Sequence, residues 1–252
     1  MLAAFDEQVR RNPPADGPGE RVEREESVVR FLEPGGGAVT WSRLTEATAD
    51  ALIAAQVERF AGLGAREWEW KHYSYDDPRD LPERLRAAGF VAEPAETLMI
   101  AQVADLALDV PPPAGVELRR VTDATGVAAL VRVHDEVFGE DHAALGAALR
   151  AAVERGSAHV AAVVAMAGNT PVAAGRVELP AGSDFASLWG GGTLPAWRGR
   201  GVFRALVAHR AALAAARGFR FIQVDASPES RPILRRLGFA ELATTTPFVR
   251  RT

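Results

Sequence analysis

Apolar and polar positions alternate with two different periods along this chain, and each change of period marks an element. Near the start, Leu2, Phe5 and Val9 fall on one side of a short helix over residues 2–10, which a Pro/Gly-rich break at 12–19 ends. Residues 28–32 and 38–41 read as two strands joined by a turn at 33–37. Ile53, Val57 and Phe60 recur at helical spacing, so 44–63 is predicted helical and stopped by Gly62 and Gly64. Residues 67–72 form a strand with Trp68 and Trp70 on one face, and 97–103 form another. Between them, Asp80 and Glu83 have the spacing of a capping box that opens a helix ending at Gly89.

Residues 109–115 (DVPPPAG) interrupt every pattern. Three consecutive prolines fit neither a helix interior nor a central strand, so the domain boundary is drawn there, between 1–110 and 111–252. Beyond it the chain reads strand 116–121, helix 123–138, helix 142–155, then strands 159–167, 172–179 and 186–194. Helix 201–217, strand 219–225, helix 229–237 and strand 239–249 complete it, with a hairpin-type turn at Gly168-Asn169. Mixed strands followed by a β-α-β-α-β run define an α/β chain with a mixed, mostly antiparallel sheet flanked by helices. Leu85-Arg86-Ala87-Ala88-Gly89-Phe90 matches Leu234-Arg235-Arg236-Leu237-Gly238-Phe239 in pattern. That faint repeat is read as a duplicated fold, or as two helices ended alike by glycine and an aromatic residue.

Composition narrows the chemistry. The 252 residues, 48% of them hydrophobic, suffice for one large domain or two modest ones. With no cysteine, disulfides, thiolate metal sites and a cysteine nucleophile are excluded. The histidines show no metal spacing, and no metal is expected. No stretch is apolar and long enough to cross a bilayer, and the N-terminus lacks the basic-then-apolar order of a signal peptide, so a cytoplasmic protein is expected. The net charge of −4 argues against general nucleic-acid binding. Yet eleven arginines stand against three acids from Arg198 onward, a local excess that suits a small polyanion.

The most informative stretch is Gly190-Gly191-Gly192-Thr193-Leu194-Pro195-Ala196-Trp197-Arg198-Gly199-Arg200-Gly201-Val202-Phe203-Arg204. A strand enters, Pro195 ends it, a glycine-arginine turn follows and an apolar helix leaves. The first N–H groups of a helix lack internal partners, and the helix dipole adds positive potential. Gly199 and Gly201 let backbone amides approach an anion, and Arg198, Arg200 and Arg204 add charge-assisted hydrogen bonds. No Gly-Lys-Ser/Thr follows, so this is not a Walker loop, and a dinucleotide fingerprint would need a third glycine and an acid on the next strand. The three glycines at 190–192 are read as a bulge opening a slot, or as a loose strand end.

Arg198-Gly199-Arg200-Gly201-Val202-Phe203, after a strand ending in Pro195, resembles the pyrophosphate loop of the GNAT superfamily of N-acetyltransferases. Ile233-Leu234-Arg235-Arg236-Leu237-Gly238-Phe239 is similar to that family's second signature. The resemblance covers roughly residues 114–252. It implies a tandem of GNAT-like domains, the C-terminal one intact and the N-terminal one a degenerate copy or a substrate-binding domain. It also implies acetyl-CoA as acyl donor and a primary amine of a small molecule or peptide as acceptor, joined by direct attack in a ternary complex. Thr193, Leu194, Arg198, Gly199, Arg200, Gly201, Val202, Phe203, Arg204 and Ser227 would then hold the cofactor, and the Leu194 backbone amide would serve as oxyanion donor.

Two positions depart from the family. Phe203 stands where a small residue is preferred, and must point away from the phosphates. Leu234 occupies the position of a tyrosine acid. Asp225 and Glu178 are the candidate bases, with Asp184 and Glu229 behind them; the alternative readings are a cap for the next helix at Asp225 and a solvated face at Glu178. Trp41, Trp68 and Trp70 are read as core or as an acceptor pocket. A homodimer is compatible with the sequence, and a non-catalytic acyl-CoA-binding module is the alternative function.

Overall fold

A computed structural model describes residues Met1–Arg251. In chain order it contains α1 (Leu2–Phe5), continued as one π-helical turn over Asp6–Arg10, then β1 (Arg21–Arg24), β2 (Val28–Glu33), β3 (Gly36–Ser42), α2 (Ala49–Gly62), β4 (Glu67–Tyr73), α3 (Leu81–Ala87), β5 (Val91–Ala92) and β6 (Glu96–Gln102). After the proline segment come β7 (Val116–Arg120), α4 (Ala124–Phe138), α5 (Ala143–Glu154), β8 (Val160–Ala167), β9 (Thr170–Glu178) and β10 (Phe185–Thr193). The chain closes with α6 (Val202–Ala215), β11 (Phe221–Ala226), α7 (Arg231–Arg236) and β12 (Ala240–Arg251). The mixed, mostly antiparallel sheet flanked by helices is the architecture expected from the sequence.

The chain forms two compact units, neither of them contiguous. The first contains Met1–Met99, Asp225–Arg231 and the chain from Glu241; the second contains Ile100–Val224 and Pro232–Ala240. The last strand therefore belongs with the first unit, where β12 pairs antiparallel with β4 from Thr245↔Tyr73 to Arg251↔Glu67. Hydrophobic patterning identifies a strand but not its partner, so the sequence placed this strand with its chain neighbours.

In the first unit β1, β2 and β3 form an antiparallel meander, and β3 pairs parallel with β4 through the α2 crossover. Its core joins Ile53 and Phe60 of α2 to Trp68, Trp70, Leu81, Leu85 and Phe90. Trp68 stacks on Phe60 at 4.0 Å and meets Phe90 edge-on at 4.8 Å. Both tryptophans are thus core residues, with ring contacts worth about 0.5–1.5 kcal/mol each beyond their burial. Trp41 is half-buried, with Arg11 over its ring at 4.6 Å. Asp80 precedes α3 without capping it, because its carboxylate is engaged by Arg84 at 2.9 Å.

In the second unit β7–β8–β9–β10 run antiparallel in that order, and β11 joins β10 in parallel through α6. The helices cover opposite faces. Val127, Leu130 and Val133 of α4 pack on Ala162, Val164 and Ala174, whereas Val202 and Leu206 of α6 pack on Val163, Ala165 and Ala173. Asp123 caps α4 by accepting from the Gly126 amide at 2.8 Å, which is why this helix starts where the sequence placed it.

The six-residue repeat closes identically in both places. Phe90 N–H donates to Leu85 O and Phe239 N–H to Leu234 O, each at 3.1 Å. Gly89 and Gly238 turn the chain at φ 88° and 102°, a region closed to most side chains. All four flanking residues, Leu85, Phe90, Leu234 and Phe239, are buried.

Candidate functional site

The site in the second unit is built where β10 parts from β11. These strands pair only at Phe185↔Phe221, Ala186↔Ile222 and Ser187↔Gln223, after which β10 runs on to Thr193. A buried hydrogen bond from Gln223 Nε2 to Ser187 Oγ, 2.6 Å long, closes the crotch of this fork. On the other side of β10 the ladder to β9 shifts register between Trp189 and Gly192, which makes the bulge anticipated from the three glycines.

Protein side chains, however, occupy the space those glycines free. A Cβ on Gly190 would lie 2.6 Å from His134 Cε1, and one on Gly192 2.9 Å from Val137 Cγ1, both on the α4 side. On the α6 side, a Cβ on Gly191 would lie 3.1 Å from Arg210 Nη2 and 3.2 Å from Phe203 Cε2. The glycines admit two helices to one strand, so the open space of the site is the fork and not the glycine run.

At the end of β10 the chain turns through Pro195–Trp197, and Arg198 Nε donates back to Thr193 O at 3.1 Å. Gly199 and Gly201 have φ of 72° and 87°, and a Cβ on either would meet open space. Gly201 leads directly into α6, whose first turn contains no acidic residue. Among the described residues, the amides of Gly199, Arg200, Gly201, Val202, Phe203 and Arg204 have no protein acceptor. Arg198, Arg200 and Arg204 are exposed around them, Arg200 stacking on Trp197 at 4.9 Å. Val202 is buried, and the Phe203 ring turns towards Gly191, away from the cradle. A row of unpaired amides at the positive end of a helix, ringed by guanidinium groups, is suited to a diphosphate.

Leu194 does not supply a free donor. Its N–H is bonded to Val172 O at 2.9 Å, because the β9 pairing extends one residue past the strand end. Thr193 Oγ1 is buried and has no hydrogen-bond partner among the described residues. Glu178, at the end of β9, lies opposite Ser187 at the fork, with Arg176 Nε 3.3 Å from its Oε1. Arg176 also lies over the Trp189 ring at 5.5 Å. Trp189 and Phe138 are 42% and 45% exposed, which leaves large apolar surfaces next to the bulge. Beneath them, burial, reinforced by His142 and Arg176, pulls the His134 pKa down to about 4.

Asp225 and Ser227, also expected at the site, lie in the first unit. Asp225 forms a cluster with Lys71, the chain's only lysine, at 3.1 Å, and accepts from Thr245 Oγ1 at 3.4 Å. Glu96 and Glu69 lie 3.5 and 3.9 Å from the same ammonium. Burial disfavours the charged Lys71, but Asp225, Glu69 and Glu96 outweigh it and push its pKa up to about 12. Burial also raises the Glu69 and Glu96 carboxyls, against the pull of Lys71. Ser227 is occupied in the turn before α7, where its Oγ accepts from the Ser230 amide at 3.3 Å. Leu234 is 1% exposed and packed in the second unit.

A forked α/β sheet with an amide-and-arginine cradle at a helix start offers unpaired donors to a phosphorylated ligand. Residues 127–239 match the model of the Acetyltransferase (GNAT) family. The fold is shared with a GCN5-related N-acetyltransferase from Kribbella flavida, at a TM-score of 0.69 and 19% identity over 92% of this chain and 89% of that one. It is shared also with a tandem GNAT protein from the clavulanic acid biosynthesis pathway, at 0.63 and 15% identity over 93% and 84%. A functionally unknown conserved protein from Staphylococcus epidermidis gives 0.67 and 13% identity over 94% and 95%. No relative was found among curated proteins.

The sequence did not flag Ser187, Gln223, His134 or Arg210. Only Arg210 carries a signal, a charge four residues after Leu206 on an otherwise apolar helix face.

Proposed function

We propose that this chain is a cytoplasmic, acetyl-CoA-dependent N-acetyltransferase that transfers the acetyl group to a primary amine of a small molecule or peptide by direct attack in a ternary complex. The observation that carries the reading is the cradle: amides at 199–204 without protein acceptors, at the end of a strand that has left its neighbour. Acetyl-CoA supplies the acyl group as an activated thioester. Arg198, Arg200, Arg204 and the amides of 199–204 hold the diphosphate. The edge of β10 beyond Ser187 receives the amide-bearing arm by strand-like hydrogen bonds.

With the Leu194 amide engaged, the donor for charge developing on the thioester oxygen falls to an amide of the bulge around 190–192. Both candidate bases are ion-paired, Glu178 with Arg176 and Asp225 with Lys71, and Glu178 is favoured because it lies opposite Ser187, on the strand that leads into the cradle. Trp189 and Phe138 form the apolar wall against which the acceptor lies. Leu234 offers no acid, and the thiolate leaves unprotonated, which its ordinary pKa near ~8.5 permits.

The identical helix closures at Gly89 and Gly238, and the parallel β-α-β units β3–α2–β4 and β10–α6–β11, support a duplication in which the halves 1–110 and 111–252 began as copies. The first copy lost its cradle: residues 43–48, which lead into α2, contain no glycine. The acidic balance outside the loop argues against nucleic acid as a partner. The apolar Leu234 favours one second reading, a non-catalytic acyl-CoA-binding module. Thiol release from acetyl-CoA with a panel of amines, run beside calorimetric CoA binding, separates the two. Turnover with any amine supports the enzyme, binding without turnover supports the module, and absence of binding refutes both.

A further inference from the structure

Arg210 is 1% exposed on the face of α6 that meets the sheet, and no carboxylate pairs with it among the described residues. Its Nη1 donates to Arg176 O at 3.0 Å and to Trp189 O at 3.4 Å, and its Nε to Leu206 O at 3.2 Å. Arg176 and Trp189 are the last matched pair before the β9–β10 register shift. Their carbonyls therefore stand where the bulge interrupts the ladder, and Arg210 supplies the donor that the neighbouring strand does not. Two glycines accommodate the guanidinium. A Cβ on Gly175 would lie 2.6 Å from Nη1, and one on Gly191 3.1 Å from Nη2.

Such an arrangement is costly. Burying an ion without a counter-charge is unfavourable, and an apolar residue at this position would avoid it. Burial, with a contribution from Arg176, pulls the Arg210 pKa down to about 9, which leaves the group charged at neutral pH. A neutral amide side chain could satisfy the carbonyls without the charge, so the charge requires its own explanation. A fixed cation in a dry interior favours any negative charge that develops nearby, and far more strongly than it would in water.

We infer that Arg210 is a positioning residue for acetyl transfer: it pins the β10 bulge through the Trp189 and Arg176 carbonyls and sets an uncompensated positive charge beneath the strand edge where the thioester reacts. This rests on the acetyltransferase reading above. It makes the bulge, and not the cradle, the part of the cofactor site that depends on Arg210.

The test uses the full chain with Arg210→Met, which removes donor and charge, Arg210→Gln, which keeps a donor, and Arg210→Lys, which keeps the charge. Thermal unfolding, CoA affinity, kcat and KM for acetyl-CoA, and amide hydrogen exchange at 189–192 are measured on each. Met and Gln should lower kcat by ~100-fold while CoA affinity stays within about threefold, and Lys should recover about tenfold of the loss. Exchange at 189–192 should rise at least ~10-fold in the Met variant. Should the Met variant fail to fold, Gly191→Ala, which crowds the guanidinium from the strand side, should give the same drop in kcat. Wild-type kcat in the Gln variant, or a loss confined to KM, overturns the inference. If the wild type itself shows no turnover, the enzyme reading fails and the exchange measurement decides the pin alone: unchanged protection in Arg210→Met, or in Gly191→Ala if Met is unfolded, overturns it.

Discussion

Lys71 Nζ stands 3.1 Å from Asp225 Oδ2, so the only lysine of the chain neutralises the carboxylate that the sequence offered as a catalytic base. Glu69 and Glu96 share that cation, and burial raises both of their pKa values. A carboxyl with a raised folded pKa binds more protons folded than unfolded, so its effect on stability is adverse as pH climbs from about 4.5 through the raised value. Lys71 works in the opposite sense: its contribution is complete below about 10.5 and is lost as pH rises through about 12. Lys71→Met should therefore cost about 3 kcal/mol at pH 8 and recover much of that as pH falls towards 5. Thermal melts across that range check it, and a loss independent of pH would contradict the role of the ammonium.

The same pairing separates the two base candidates. Glu178→Gln should lower kcat/KM for the amine by ~100-fold and flatten the acidic limb of the pH–rate profile. Asp225→Asn should keep that limb and show its main effect in melting temperature. An acidic limb that survives in Glu178→Gln and vanishes in Asp225→Asn would reverse the assignment.

The cradle makes a direct demand on the ligand. Arg198→Ala combined with Gly201→Glu removes one guanidinium, places a carboxylate among the open amides and strains a position with φ of 87°. CoA affinity should fall by at least ~100-fold, with a stability cost of about 1–3 kcal/mol from the backbone strain. Isothermal calorimetry is the measurement, and an unchanged Kd would remove the loop from the cofactor site.

Gly190 in β10 and Gly182 in the loop before it are distinguished by what lies beside them. Gly190→Ala drives a methyl to within 2.6 Å of His134 at a φ of 56°, whereas Gly182→Ala, at φ 75°, meets open space. Strain alone should cost Gly182→Ala about 1 kcal/mol, and overpacking should bring Gly190→Ala to about 3 kcal/mol. Equal losses in chemical denaturation would mean that α4 does not press on the strand.

His134 supplies a second pH signature. Its folded pKa of about 4 lies below the usual 6.5, so the unfolded chain takes up the proton first and stability is lost as pH falls from about 6.5 to about 4. The full loss is about 3 kcal/mol, and His134→Gln should lack that slope. Titrating the ring by NMR checks the value directly; a pKa near 6.5 would remove the effect.

Much of this molecule was readable before its structure was known, for physical reasons that differ between residues. The cradle is local: a proline, two glycines and three arginines within one turn fix both its shape and its charge, and the chain at 195–204 adopts it. Strands β8 and β9 stand out as continuous apolar runs because a helix covers each face of the sheet, and helix α4 follows the helical apolar period because one side of it packs on that sheet. The failures are non-local. No pattern in residues 240–251 names β4 as their partner, and the occupation of the Leu194 amide by Val172 follows from register, which one strand cannot reveal. The glycine run reads as a bulge opening a slot, but the groups that fill the space beside it, His134 and Arg210, come from two helices distant in sequence.

The parting of β10 from β11 after Ser187 has a consequence for the protein's upkeep. A strand whose outer edge lacks a neighbour is an incomplete fabric, and an extended molecule with amides of its own can be woven in as a guest thread. On the proposed reading, rigidity in this half of the chain follows the occupancy of that edge, and the empty protein is the looser and more readily digested form.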